Sequence, residues 1–356
     1  MLGVYVHIPF CQSRCRYCDF FSTTLLGRRE EYVRALLAEI GPEPYQPDTI
    51  YLGGGTPSLL DTDAIRQILS AIGTRNAREV TIEVNPGDVT PDKASKWIAA
   101  GVNRVSMGIQ SFQDELLRII GRRHTAGEAR NAITLLREAG IRDLSIDLMY
   151  GLPRQTEAMW QADITEAIQT GAEHVSCYCL SYEEGTPLWQ ARERGEIQET
   201  DEETENSMYD YLCDALRQAG YEHYEVSNFA RPHFRAVHNS NYWNDTPYIG
   251  FGAGAHSYDG KRRFWNPSDL NTYIQAALAR DLLREEEVLT DEQKRMERIM
   301  LSLRTREGVA ADILDTEGIA KAEQLTAENL LRKQNGHYIA TQAGLHILNR
   351  ITEQLI

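Results

Sequence analysis

The stretch GVYVHIPFCQSRCRYCDFFS, residues 3 to 22, joins a strand-like run to a loop crowded with cysteine. In Val4-Tyr5-Val6-His7-Ile8 the apolar residues fall on one face and Tyr5 and His7 on the other, the period of two of a β-strand. Pro9 keeps the chain extended, and Cys11-x3-Cys15-x2-Cys18 follows at once. Three thiolates on so short a loop can wrap a metal centre. A zinc site normally closes its tetrahedron with a fourth protein ligand, which His7 could supply. An iron–sulfur cube can be held by three cysteines with one iron left open, although four is the usual count. On this loop alone both readings stand.

The chain has 356 residues, 42% of them hydrophobic, enough for one large core and a smaller second unit. No apolar run approaches the roughly 18 residues that cross a bilayer, and MLGVYVHIPFC lacks the charged start and long apolar stretch of a secretory signal. The expectation is a cytoplasmic protein, where thiols stay reduced and clustered cysteines serve metals or chemistry rather than disulfides. The net charge of −15 argues against nucleic acid as a partner. The remaining cysteines, Cys177, Cys179 and Cys213, read as core residues, two on a strand and one on a helix.

Outward from the first strand, β-like runs recur at 49–53, 80–84, 104–110, 144–150 and 173–180, with helical stretches near 61–72, 90–100, 126–139 and 156–170 between them. Such alternation predicts a parallel sheet in an α/β fold, a complete or partial (β/α) TIM-like barrel. The strands leave a polar face: Thr81 and Glu83, then Ser106, Gly108 and Gln110, then Ser145, Asp147 and Met149. A packed barrel would be apolar within, so the pattern predicts a lined cavity, with Glu83, Gln110 and Asp147 pointing into it near the strand ends. After Leu282 the rhythm changes. Arg284-Glu285-Glu286-Glu287 reads as a solvated linker, followed by a helix over 290–303, helical stretches at 309–315 and 318–333, a short run His337–Ala340 and a last helix with Leu348, Ile351 and Leu355. This predicts a barrel domain over 1–282 and a small, mainly helical, winged-helix-like domain over 283–356.

The cysteine loop, together with YVHIPFC, YCDFFS, YLGGGTPS, EVNPG, GIQSF and DLMYGLP, resembles the radical S-adenosylmethionine (SAM) enzymes. Within them it is similar to the oxygen-independent coproporphyrinogen III dehydrogenases and to their HemW-type haem-chaperone branch, from residue 3 to the C-terminus. The resemblance implies a radical SAM barrel in which Cys11, Cys15 and Cys18 hold a [4Fe–4S] cluster whose open iron chelates SAM. It further implies SAM contacts at Tyr5, Tyr17, Gly54, Gly55, Thr56, Glu83, Gln110, Arg122, Asp147, Ser181 and His256. Glycines after a strand let backbone approach a ligand closely, and Arg122 suits a carboxylate.

Three departures separate the two branches. Phe20 stands where the dehydrogenases carry an extra cysteine, and the chain starts at the first strand, where they have an N-terminal extension. HNSNYW, His238 to Trp243, matches the HNxxYW motif of the chaperones. An imidazole can ligate haem iron while Tyr242 and Trp243 offer flat surface to a porphyrin. The reading is therefore a haem chaperone with His238 as iron ligand. It would pass haem to acceptor proteins of respiratory, membrane-associated type, with flavodoxin or ferredoxin as electron donor and a homodimer as a compatible assembly. The alternative is a coproporphyrinogen III dehydrogenase.

Overall fold

A computed structural model describes residues 1–356. Its centre is a run of six parallel strands in sequence order: β1 (Gly3–Ile8), β2 (Thr49–Gly54), β3 (Glu79–Val84), β4 (Arg104–Gln110), β5 (Asp143–Tyr150) and β6 (His174–Cys179). Between them run α1 (Arg29–Ile40), α2 (Thr62–Ile72), α3 (Pro91–Ala99), α4 (Asp114–Ile119), α5 (Ala126–Ala139) and α6 (Glu157–Gln169). Local chemistry sets the helix ends. In α5 the Thr125 hydroxyl accepts the Glu128 N–H while the Glu128 carboxylate accepts the Thr125 N–H, and Gly140 closes the helix at φ 105°.

The period of two in each strand becomes two environments. Val4, Val6, Ile50, Leu52, Val80, Ile82, Val105, Met107, Leu144 and Ile146 are all at most 1% exposed, because they face the helices. Of the polar residues between them, Glu83 lines an interior cavity, and Ser106 and Asp147 bond to each other across β4 and β5. The sheet does not close on itself, so the barrel is partial: twelve strands run in an open order. Past β6 come α7 (Pro187–Glu193), α8 (Glu202–Gln218), β7 (Glu222–Glu225), β8 (Asn228–Ala230) and α9 (Val237–Trp243), with β8 antiparallel to β6. On the other side of β1 lie β9 (Tyr248–Phe251), parallel to it, then β10 (His256–Tyr258) and β11 (Arg262–Trp265). The helix α10 (Leu270–Ala279) leads to β12 (Glu285–Val288), which is antiparallel to β11.

Strand β12 is the segment expected to be a linker. Its residues are exposed, but their backbone completes the sheet, and Arg284 is drawn in by an ion pair to the buried Glu39 at 2.9 Å. Glutamates on an outermost strand are a common way to keep such an edge from pairing with other chains. Another expectation fails at Cys179. Cys177 and Cys213 are buried, but Cys179 ends β6 at the rim and is exposed.

The C-terminal residues carry their own apolar cluster, including Ile299, Leu303, Leu325, Tyr338 and Ile351. They form α11 (Asp291–Ser302), β13 (Val309–Ala310), α12 (Thr316–Ala327), β14 (Leu331–Gln334), β15 (His337–Ala340), α13 (Gln342–His346) and α14 (Leu348–Leu355). The three strands make one small antiparallel sheet. Helix was expected over 309–315, where a short strand and a 3-10 turn stand, and over 318–333, whose last residues turn into β14. Arg332 and Lys333 are exposed, and the strand exists because it pairs with β15, a partner that periodicity cannot reveal. No helix is long and apolar enough to cross a membrane.

Candidate functional site

The loop from β1 carries Cys11, Cys15 and Cys18, all half-buried and unpaired. Its start is clamped by main-chain bonds from Cys11 N–H to Thr23 O (2.9 Å) and from Thr23 N–H to Pro9 O (2.7 Å). No three His, Cys, Asp or Glu side chains converge on one ion position. His7, the residue weighed as a fourth zinc ligand, uses both nitrogens elsewhere: Nε2 meets Phe21 O at 2.9 Å and Nδ1 meets the Tyr5 hydroxyl at 3.0 Å. Three separate thiols on one loop suit a cluster, whose corners are separate irons, better than a single ion.

Around the loop lie groups that would contact a ligand at its open side. The Thr56 hydroxyl donates to Cys11 Sγ at 3.6 Å. Arg122, reaching back from the turn after α4, donates to Cys15 Sγ at 3.6 Å and to Gly108 O, while its Nε is buried without a partner. Burial opposes its charge, but Tyr17 and Cys15 more than offset that, so Arg122 remains a firm cation. Gly54 has φ 113°, and a β-carbon there would stand 2.7 Å from the His7 ring. One on Gly55 would stand 2.8 Å from the Pro9 carbonyl carbon. Both positions therefore exclude side chains, keeping backbone bare beside the cysteine loop. A thiol triad, a bare backbone cradle and a cation with a free buried N–H fit a cluster that binds a carboxylate-bearing ligand.

The strand interiors supply the rest. Glu83 accepts the Tyr51 hydroxyl at 2.7 Å and the Gly54 N–H at 3.1 Å. Burial, opposed by Tyr51, pushes its carboxyl up to about 7. Asp147 is held by Ser106 at 3.3 Å, and burial raises it too. Gln110 is 8% exposed at a bulge in the β4–β5 ladder, with φ 70°. A left-handed glutamine is rare, and such strain is characteristic of positions held for a ligand. Two of the expected contacts stand apart. Ser181 is exposed and bonded to Glu183, and His256 is exposed and stacked on Trp265, with ring centroids 5.4 Å apart.

A cavity of about 380 Å³ opens inside the barrel. Tyr5 and Glu83 line it, as do His238, Tyr242 and Trp243 of the HNSNYW motif. Gln110 and Asp147, expected to share it with Glu83, lie outside its lining. His238 is 1% exposed, with Nδ1 2.9 Å from the Thr49 hydroxyl and Nε2 3.0 Å from that of Tyr242. Its N–H and that of Val237 donate to the buried Glu79. Burial holds the imidazole down to about 3, so it is neutral with a lone pair on one nitrogen. Tyr51, Tyr178, Glu225 and Asn228, which also line the cavity, were not anticipated from the sequence. Tyr51 shares the inward face of β2, and reading that strand with the same period of two as its neighbours would have found it.

Residues 5–167 match the model of the radical SAM superfamily. A protein of Lactococcus lactis named heme chaperone HemW is 34% identical over 99% of this chain and 97% of its own length. The chain belongs to the HemW family. HemW relatives from Bacillus subtilis, at 35% identity over 87% of the chain and 85% of theirs, and from Escherichia coli, at 38% over 72% and 69%, agree. The solved structure of Escherichia coli coproporphyrinogen III oxidase (HemN), described as a radical SAM enzyme, superposes with a TM-score of 0.83 at 22% identity, over 99% of this chain and 89% of that one. That likeness shows that this chain has the fold of that structure. Radical SAM membership implies a [4Fe–4S] cluster and SAM as cofactors.

Proposed function

We propose that this chain is a haem chaperone that binds haem beside a radical SAM centre and delivers it to acceptor haemoproteins of respiratory type. The observation that carries the reading is one shared cavity, whose wall combines Tyr5 and Glu83 with the neutral His238 imidazole and the rings of Tyr242 and Trp243. Family membership and the exposed Phe20, with no thiol at that place in the cysteine loop, support it over porphyrinogen oxidation.

Cys11, Cys15 and Cys18 would hold the cluster. Tyr5, Tyr17, Gly54, Gly55, Thr56, Glu83, Gln110, Arg122 and Asp147 would bind SAM, with Arg122 facing its carboxylate and the acidic residues its hydroxyl or amino groups. Ser181 and His256 would reach it only from the rim. When bound, the pair supplies one-electron chemistry at the SAM sulfonium, fed by a flavodoxin or ferredoxin. His238 would ligate haem iron through Nε2 in exchange for its bond to Tyr242, and its low proton affinity leaves the lone pair ready at neutral pH.

The test is anaerobic titration of cluster-loaded protein with haem, read by absorbance, followed by transfer to an apo-haemoprotein. The reading expects a low-micromolar or tighter haem complex whose Soret band shifts in His238→Ala, and no consumption of coproporphyrinogen III in the presence of SAM and reductant. An unchanged spectrum in H238A removes the ligand assignment. Formation of protoporphyrinogen replaces the chaperone reading with the dehydrogenase.

A further inference from the structure

The wall of the cavity contributed by the β7–β8 turn has a chemistry of its own. Glu225 is 2% exposed; its Oε2 accepts the Ser227 N–H at 3.3 Å, and its Oε1 is buried with no partner. Asn228 is 5% exposed, and its Oδ1 is likewise buried and unpartnered. Two acceptors thus stand without a protein donor on one short turn lining one cavity, where a ligand or a water must complete them. Burial pushes the Glu225 carboxyl up to about 7, opposed by the Asn228 amide and the Ser227 N–H.

The turn is built to stay in place. Asn228 pairs with Ser176 of β6, and Glu225 pairs with Thr305 of the C-terminal unit. Val226 N–H donates to Arg304 O at 2.9 Å, and Arg306 N–H donates to Tyr224 O at 3.0 Å. Main-chain bonds on both flanks therefore fix the acceptors where a ligand meets them. The other lining residues are chiefly aromatic, and no Lys or Arg is among them. An aromatic cavity with spare acceptors and no cation complements a flat ring carrying O–H or N–H donors, and it repels carboxylates.

We infer that Glu225 and Asn228 form a binding subsite for the hydroxyl or amino donors of a nucleoside, and that porphyrin carboxylates are turned away from this wall. The inference rests on the proposed function, since it says which ligand of the shared cavity faces the β7–β8 turn. A carboxylate taking ribose hydroxyls is the same recognition that dinucleotide folds use.

Cluster-loaded wild type, E225Q and N228A are titrated anaerobically with S-adenosylhomocysteine, with adenosine and with haem, after melting curves confirm folding. The subsite predicts that both nucleoside probes bind about tenfold more weakly to E225Q and several-fold more weakly to N228A, the loss of one or two charge-assisted bonds. Haem affinity stays within about twofold. Nucleoside affinities within twofold of wild type in both variants overturn the inference, as does a loss seen with S-adenosylhomocysteine but not with adenosine, or a loss of haem affinity as large as that of the nucleosides. Failure of the wild type to bind haem removes the chaperone reading while the nucleoside data still decide the subsite.

Discussion

Thr49 and His238 are 189 residues apart in the chain, and the hydroxyl of one lies 2.9 Å from Nδ1 of the other. Thr49 opens β2 and is fully buried; His238 is the second residue of α9 and is buried too. With Tyr242 at Nε2 and Glu79 at the backbone, all of the polar atoms of the histidine that could be left bare are occupied.

Replacing Thr49 with Val keeps the volume and removes the partner of Nδ1. The expected loss is about 1–3 kcal/mol, the cost of stranding one buried polar atom. Urea unfolding of the protein without ligands measures it: the midpoint falls while the denaturant slope is unchanged. A variant within 0.5 kcal/mol of wild type would show that the ring reorients without penalty.

Gly55 is a packing requirement of the cluster loop. A β-carbon there meets the main chain of Pro9 and Phe10, which cannot step aside as a side-chain tip could. Gly55→Ala is expected to displace the chain entering Cys11, lowering iron and sulfide recovered after reconstitution to well under half of the wild-type value. Gly27→Ala, whose β-carbon meets nothing within 4 Å, serves as the control. Full iron content in G55A refutes the role.

Glu83 makes stability depend on pH. Its carboxyl lies near 7 when folded against an ordinary 4.5, so between those values the native chain holds a proton that the unfolded chain has released. Its contribution is complete below pH 4.5 and disappears as pH rises through 7. The stability of wild type relative to Glu83→Gln should therefore fall by on the order of 2 kcal/mol from pH 4.5 to 8, the full shift discounted for a carboxyl that faces a wet cavity. Chemical denaturation without SAM at several pH values gives the two curves. Parallel curves would mean that the shift is absent.

Asp163 anchors the turn beyond Gln110. Fully buried on α6, it accepts from the Ser111 hydroxyl at 2.6 Å, the Phe112 N–H at 3.0 Å and the Gln113 amide at 3.0 Å. Asp163→Ala leaves three donors stranded and is expected to cost about 3–5 kcal/mol, with Asp163→Asn costing less. It should also weaken binding of S-adenosylhomocysteine, because the strained Gln110 backbone loses its support. Equal thermal stability of D163A and wild type would remove this account.

Much of this protein could be read from local patterns. The cysteine spacing needs only a flexible loop, and the inward row of Glu83, Ser106 and Asp147 follows from strand periodicity, since a parallel sheet under helices must turn its apolar face to them. The caps at Thr125 and Thr290 lie three residues from the groups they satisfy. What required the tertiary structure was decided by partners distant in sequence. The glutamates of β12 become a strand because β11 offers an open edge, and Cys179 is exposed because β6 ends at the rim. Gln110 takes a left-handed backbone at a bulge. The HNSNYW motif identified His238, but its depth beneath Tyr242 and against Thr49 comes from the packing of α9 into the barrel. Glu225 and Asn228 carry no pattern of their own; they became a wall of the cavity only when the C-terminal unit paired with the β7–β8 turn and left two buried oxygens without donors.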